Sequence, residues 1–223
     1  MAKYLTLGDK AIVVEFGQSI SEELNKAVTA FQSAVISSKI EGITETFPSY
    51  KALTITYDPL VISYSELVSK LKESELNMCT KDIKNPNIIE IPVCYGGEFG
   101  PDIESVAEIN GITAQEVVKI HTSKPYLIYM LGFMPGFSFL GELDKKINAP
   151  RLTSPRTKVI PGSVGIAGAQ TGIYAIESPG GWQLIGRTPY KMFDPNREKP
   201  ILYEAGDLIQ FISITPEEYI RLE

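Results

Sequence analysis

Histidine, cysteine and tryptophan are nearly missing from this 223-residue chain, which holds one His, two Cys and one Trp. A lone imidazole and two distant thiols, Cys79 and Cys94, make no zinc ligand set, so no metal site is expected. The same scarcity excludes a disulfide-stapled fold and suits reduced thiols in a cytoplasmic protein. No G-x-x-x-x-G-K-[ST], H-E-x-x-H or G-x-S-x-G occurs, which excludes a Walker-type phosphate loop, a zincin helix and a hydrolase nucleophile elbow. Long apolar runs are also lacking. Pro125 to Gly141 is uncharged for 17 residues, short of the ~20 that a spanning helix needs, and Gly132, Pro135 and Gly136 interrupt it. It reads as buried strand and loop. The start, Met1 to Lys10, has no apolar core and meets Asp9 early, so it is not a secretory signal.

Charge is plentiful and unevenly placed. The net charge is −6, yet Leu143 to Lys191 carries seven cations against Asp144 and Glu177, a local +5 that leaves −11 for the rest. Glycine and proline are just as uneven. Residues 1–90 contain three of each, and the remainder contains fifteen Gly and twelve Pro. The turn-rich part is full of Ile, Val, Leu, Phe and Tyr, so it reads as loop-rich β structure rather than disorder. Two domains are therefore expected, 1–86 and 87–223, joined near Asn85-Pro86-Asn87.

In the first domain, Tyr4 to Leu7 and Ala11 to Phe16 predict a hairpin across Gly8-Asp9. Ser19-Ile20-Ser21-Glu22 predicts a capping box for a helix carrying Leu24, Val28, Phe31 and Val35. Strands follow at Ile43 to Phe47 and Leu53 to Tyr57, then a helix opened by the box Ser63 to Glu66. Ile88 to Val93 closes the series as a strand. This β-α-β-β-α-β order is that of a ferredoxin-like α/β unit. The second domain opens with two short helices, one capped by Asp102 and one by the box Thr113 to Glu116. Strands are then expected at Tyr126 to Leu131, Val164 to Ala167, Ile173 to Glu177, Trp182 to Ile185 and Asp207 to Ile212. Ser178-Pro179-Gly180-Gly181 reads as a turn between two of them. Many short strands with turn signals indicate a sandwich or closed barrel, which makes the whole chain α+β.

The candidate chemistry sits in that Gly-rich, cation-rich part. Arg151, Arg156 and Arg187 offer planar forks for carboxylate or phosphate. Gly162, Gly165 and Gly168 run G-x-x-G-x-x-G, which is not the dinucleotide fingerprint but allows close backbone approach to an anion. Solvated arginines or surface ion pairs are the plainer alternative. His121 is the one side chain suited to proton transfer near neutrality, and equally a cation in the last turn of a helix. Gln170 and Gln183 are the polar candidates for an amide or lactam, because each donates and accepts at once. Trp182, with Phe133, Phe137 and Phe139, reads as core or pocket wall.

Longer motifs add a resemblance. Ile91-Pro92-Val93-Cys94-Tyr95-Gly96-Gly97-Glu98-Phe99-Gly100-Pro101-Asp102 opens it, and Tyr129-Met130-Leu131-Gly132-Phe133-Met134-Pro135-Gly136-Phe137 continues it. Gly162 to Gly168, Gln170 to Tyr174 and Ser178-Pro179-Gly180-Gly181-Trp182-Gln183-Leu184-Ile185-Gly186-Arg187-Thr188 complete it. Together they resemble the family of the 5-oxoprolinase B subunit (PxpB), KipI and allophanate hydrolase subunit 1. The resemblance implies a cyclophilin-like β-barrel for the second domain, without prolyl isomerase activity. It implies a role in ATP-dependent opening of 5-oxoproline to glutamate, inactive alone. The partners it implies are a companion C subunit (of the KipA or allophanate hydrolase subunit 2 type) and a LamB/YcsF-type A subunit. ATP with magnesium would serve the assembled complex, with no covalently held cofactor. Two other roles come with the family, a KipI-like inhibitor of a sporulation histidine kinase and a carboxyltransferase-type module of urea metabolism. The chain departs from the family's usual pattern at Ile160-Pro161, where Pro-Ala is usual, and at Ala175, where Pro is usual.

Overall fold

A computed structural model of the chain describes residues 2–18, 21–76, 78 and 86–223. Cys79, the Ser19-Ile20 half of the first capping box and Asn85 of the expected junction lie outside the described residues. The chain divides into two compact units, Met1–Asn85 and Pro86–Glu223.

In the first unit, β1 (Lys3–Thr6) and β2 (Ala11–Glu15) form the expected antiparallel hairpin, with Gly8 at φ 64° in its turn. Helix α1 (Glu22–Ser37) starts on Ser21, whose side chain accepts from the Leu24 N–H. Strands β3 (Ile43–Pro48) and β4 (Ala52–Tyr57) precede α2 (Tyr64–Leu76), where Ser63 and Glu66 exchange the hydrogen bonds of a capping box. The sheet order is β1-β2-β4-β3, antiparallel throughout. Val28, Phe31 and Val35 of α1 pack with Leu67 and Leu71 of α2 over Ile12, Val14, Leu53 and Ile55.

The strand expected to finish this sheet goes elsewhere. Residues Ile88–Tyr95 form β5, which pairs in parallel with β13 (Leu208–Ile214) and antiparallel with β12 (Gln183–Arg187) in the second unit. The ferredoxin-like order is therefore not realised within the first unit. The reason is visible in β5 itself, where Ile91 to Cys94 are buried without alternation, as a strand covered on both faces must be.

The second unit is a closed seven-stranded barrel in the order β10-β7-β6-β13-β5-β12-β9. Its remaining strands are β6 (Tyr126–Leu131), β7 (Ser138–Leu140), β9 (Ser163–Ala167) and β10 (Gln170–Ile173). Strands β8 (Arg156–Val159) and β11 (Ser178–Gly180) make a separate two-stranded ribbon. So the expected turn at Ser178 to Gly181 is largely strand. The expected strand over Ile173 to Glu177 ends at Ile173, because β10 begins three residues earlier and meets β9 in a tight hairpin at Gly168. Helices α3 (Ile103–Asn110) and α4 (Ala114–His121) open the unit, and α5 (Pro216–Leu222) closes it on a Thr215–Glu218 capping box. No helix among the described residues is long and apolar enough to cross a membrane. Pro125 to Gly141 is instead β6, a Gly-containing turn and β7.

Candidate functional site

Four aromatic rings line one wall of the barrel. The ring of Phe137 meets Trp182 edge-on at 5.4 Å, Tyr174 at 5.1 Å and Phe139 at 4.6 Å between centroids. Two glycines make this packing possible. A Cβ on Gly172 would sit 2.6 Å from the Ser138 carbonyl oxygen, and one on Gly180 would sit 2.5 Å from the Tyr174 hydroxyl. The rings enclose a cavity of about 180 Å³, closed by Pro155 and by Phe133. Phe133 is 68% exposed at φ +66°, a conformation costly for a bulky side chain. Arg151 is the one charged group in the wall among the described residues. Its loop is tied on both sides: the Leu152 N–H donates to the Gly181 carbonyl at 2.7 Å, and Gln183 Nε2 donates to the Pro150 carbonyl at 3.1 Å. Burial pushes the Tyr174 hydroxyl up in pKa, so it stays protonated beside the cavity.

Behind this pocket lies a clamp. Asp102, nearly buried, accepts two bonds from Arg156 Nη2 at 2.6 and 2.8 Å and one from the Leu184 N–H at 2.6 Å. Arg156 Nη1 reaches the Trp182 carbonyl at 3.3 Å. Asp102 occupies the N-cap position of α3 but makes no side-chain cap bond, since its carboxylate is used here. Arg156, expected as an anion ligand, is thus neutralised within the chain, and it fixes the backbone of Trp182.

Arg187 lies in a different cleft, of about 540 Å³. Its guanidinium carbon sits 4.8 Å from the Phe99 ring centroid and 5.5 Å from that of Tyr219. Its Nε is buried without a hydrogen-bond partner. Lys191, Glu98 and Glu223 also line the cleft. So do Ile160, Pro161 and Ala175, the positions that depart from the family pattern. The two cavities share no lining residue, although consecutive residues Tyr174 and Ala175 face one each.

The other sequence candidates are spent on the fold. His121 is wholly buried in the barrel and stacks on Phe211 with ring centroids 4.5 Å apart. The Thr171 hydroxyl donates its one hydrogen to the Gly165 carbonyl, so His121 Nε2 donates to Thr171 Oγ1 at 2.8 Å. His121 Nδ1 then accepts from the Tyr95 hydroxyl at 2.7 Å. Desolvation lowers the His121 pKa to about 3, so it is neutral and not the helix-end cation its position suggested. Gly162 donates its N–H to the Tyr174 carbonyl and Gly168 donates to that of Ala149, each at 2.7 Å, while Gly165 is held inside β9. Gln170 is half-buried at the start of β10, opposite Ala167. Of the residues singled out from sequence, the fold brings Arg151 and Trp182 together at the aromatic cavity with Phe133, Phe137 and Phe139, which were read as core or pocket wall. Sequence reasoning missed Tyr174, Phe99 and Tyr219. The Thr215 to Glu218 box was the available signal for Tyr219, since it marks a helix that carries the ring.

This barrel has known relatives. The model of the carboxyltransferase domain, subdomain C and D, matches residues 2–203. The 5-oxoprolinase B subunit of Bacillus subtilis (strain 168) is 45% identical over 223 residues, covering 96% of this chain and 93% of that one. That of Haemophilus influenzae (Rd) is 38% identical over 206 residues, covering 92% and 95%. A crystal structure of the Kluyveromyces lactis urea amidolyase superposes with a TM-score of 0.81 at 22% identity, over 99% of this chain and 15% of that one, and shows the fold alone. With a family model spanning nearly all of it and near full-length likeness to two B subunits, the chain belongs to the carboxyltransferase C and D subdomain family that includes the 5-oxoprolinase B subunit.

Proposed function

We propose that the chain is the B subunit of an ATP-dependent assembly that opens 5-oxo-L-proline to L-glutamate. The observation that carries this reading is the 45% identity to a 5-oxoprolinase B subunit over 96% of the chain. On this reading the barrel is the cyclophilin-like one of the family, and the aromatic pocket receives the lactam. The cavity of about 180 Å³ walled by Trp182 and Tyr174 is smaller than the ~300–1,000 Å³ of drug-sized sites, so it suits a ligand no larger than a five-membered ring with one carboxylate. Arg151 pairs with the carboxylate as a planar fork, and the protonated Tyr174 hydroxyl is available as a donor. The rings exclude bulk water from the bound lactam. Ring opening adds water across the amide bond, giving the second carboxylate and the free amine of glutamate.

On this reading the described residues of the Gly-rich segment are not a triphosphate cradle. The Gly162 and Gly168 amides donate to carbonyls, and the cations of the Arg187 cleft are offset by Glu98 and Glu223. The reading therefore assigns ATP and magnesium to the companion C-type and LamB/YcsF-type subunits. Reconstitution with both and measurement of ATP-dependent glutamate release tests it. Arg151→Gln is expected to raise KM for 5-oxoproline about tenfold, the worth of one charge-assisted hydrogen bond, with the assembly intact. No release with all three components, accompanied by inhibition of histidine kinase autophosphorylation, would overturn the reading in favour of a regulatory role.

A further inference from the structure

We propose that the Arg187 cleft is a second small-molecule site, built for a carboxylate that carries a neighbouring N–H donor: an amino acid or its cyclic amide. The guanidinium packs over the rings of Phe99 and Tyr219, which themselves lie 4.6 Å apart. That fixes the fork before any ligand arrives, so little side-chain entropy is lost on binding. Arg187 makes no ion pair among the described residues, unlike Arg156, and its Nε is buried without a partner. A partly buried cation with no anion beside it is an incomplete pair, and a carboxylate completes it. The cavity of about 540 Å³ lies within the range of small-molecule sites.

Charge selects the class of ligand. Arg187 and Lys191 face Glu98 and Glu223, so the lining is balanced, and Lys191 is already bonded to Asp194 at 3.0 Å. A polyphosphate would bring several negative charges to two carboxylates with no surplus cation. A monocarboxylate needs only Arg187, and its ammonium or amide N–H has Glu98 and Glu223 to donate to. The inference stands without the oxoprolinase reading. Binding is measured on the chain alone, whereas that reading is tested by turnover with companion subunits, so the two fail separately.

Isothermal titration of the full chain carrying Arg151→Gln, which weakens the aromatic pocket, is the test. L-Glutamate, glycine and 5-oxo-L-proline are the probes, with inorganic phosphate and Mg-ATP as the contrasting anions. Saturable binding of at least one of the first three is expected, weakened at least tenfold when Arg187→Gln is added. Glutamate or glycine alone would identify the amino acid, and 5-oxoproline alone the lactam. If Arg187→Gln unfolds the chain, Arg187→Lys keeps the charge without the fork and is still expected to weaken binding severalfold. The proposal is overturned by no saturable binding, by affinity indifferent to both Arg187 substitutions, or by phosphate or ATP binding more tightly than every carboxylate.

Discussion

Replacing Asp102 by alanine is expected to destabilise the barrel unit by about 3 kcal/mol. The carboxylate holds three short bonds, two from Arg156 and one from the Leu184 N–H. Removing it leaves a partly buried guanidinium without its anion and a buried amide without an acceptor. Each of those is costly, whereas an exposed pair such as Lys158–Glu177 contributes under about 1 kcal/mol. The effect is also local to the pocket, because Arg156 loses the anchor from which it holds the Trp182 carbonyl. Trp182 is the only tryptophan, so its emission reports the pocket directly. Urea unfolding followed by that emission is expected to show a lower midpoint and a red-shifted native spectrum. A loss below about 1 kcal/mol, or an unchanged native spectrum, would mean that the clamp does not organise the pocket.

Acid is expected to weaken the same unit well before the carboxylates titrate. His121 ionises near 6.5 once unfolded but only near 3 when folded, because burial penalises its charged form. Between those values the unfolded chain takes up a proton that the folded chain refuses. Stability from this source is full above pH 6.5 and falls as pH drops toward 3. At pH 5 the loss is about 2 kcal/mol. The lowered carboxylates, Glu66 and Glu116 among them, act mostly below their ordinary value of 4.5, so between pH 7 and pH 5 the histidine dominates. Urea midpoints at those two pH values, followed by Trp182 emission, are expected to differ in the natural chain and nearly coincide in His121→Gln. Equal pH dependence in both chains would exclude His121 as the source.

Short-range features were legible in the chain. The hairpin at Gly8, the boxes at Ser63 and Thr113, and β6 all follow from residues within a few positions of each other. Membership of a sheet was not. The apolar run Ile88 to Val93 announces a strand, but its partners lie on Leu208–Ile214 and Gln183–Arg187, about a hundred residues away. The ribbon of β8 and β11 escaped for the same reason, since Ser178-Pro179-Gly180 carries turn residues and is a strand only by its pairing with Arg156–Val159.

The candidate site divides in the same way. Composition alone placed a surplus of arginine in the Gly-rich half, and the motifs alone gave the family. What each arginine does was decided by the barrel, which wraps the chain so that neighbours in sequence face different surroundings. Arg151 and Arg156 stand five residues apart, yet one borders an aromatic cavity and the other is bound to Asp102. Arg187 follows Trp182 by five residues and opens into another cleft. The helical position of His121 suggested a cation, and closure of the barrel over it made that charge too costly to keep. Residue type sets what a side chain is able to do, and burial and partners, which depend on contacts far apart in the chain, select which of those capacities survives.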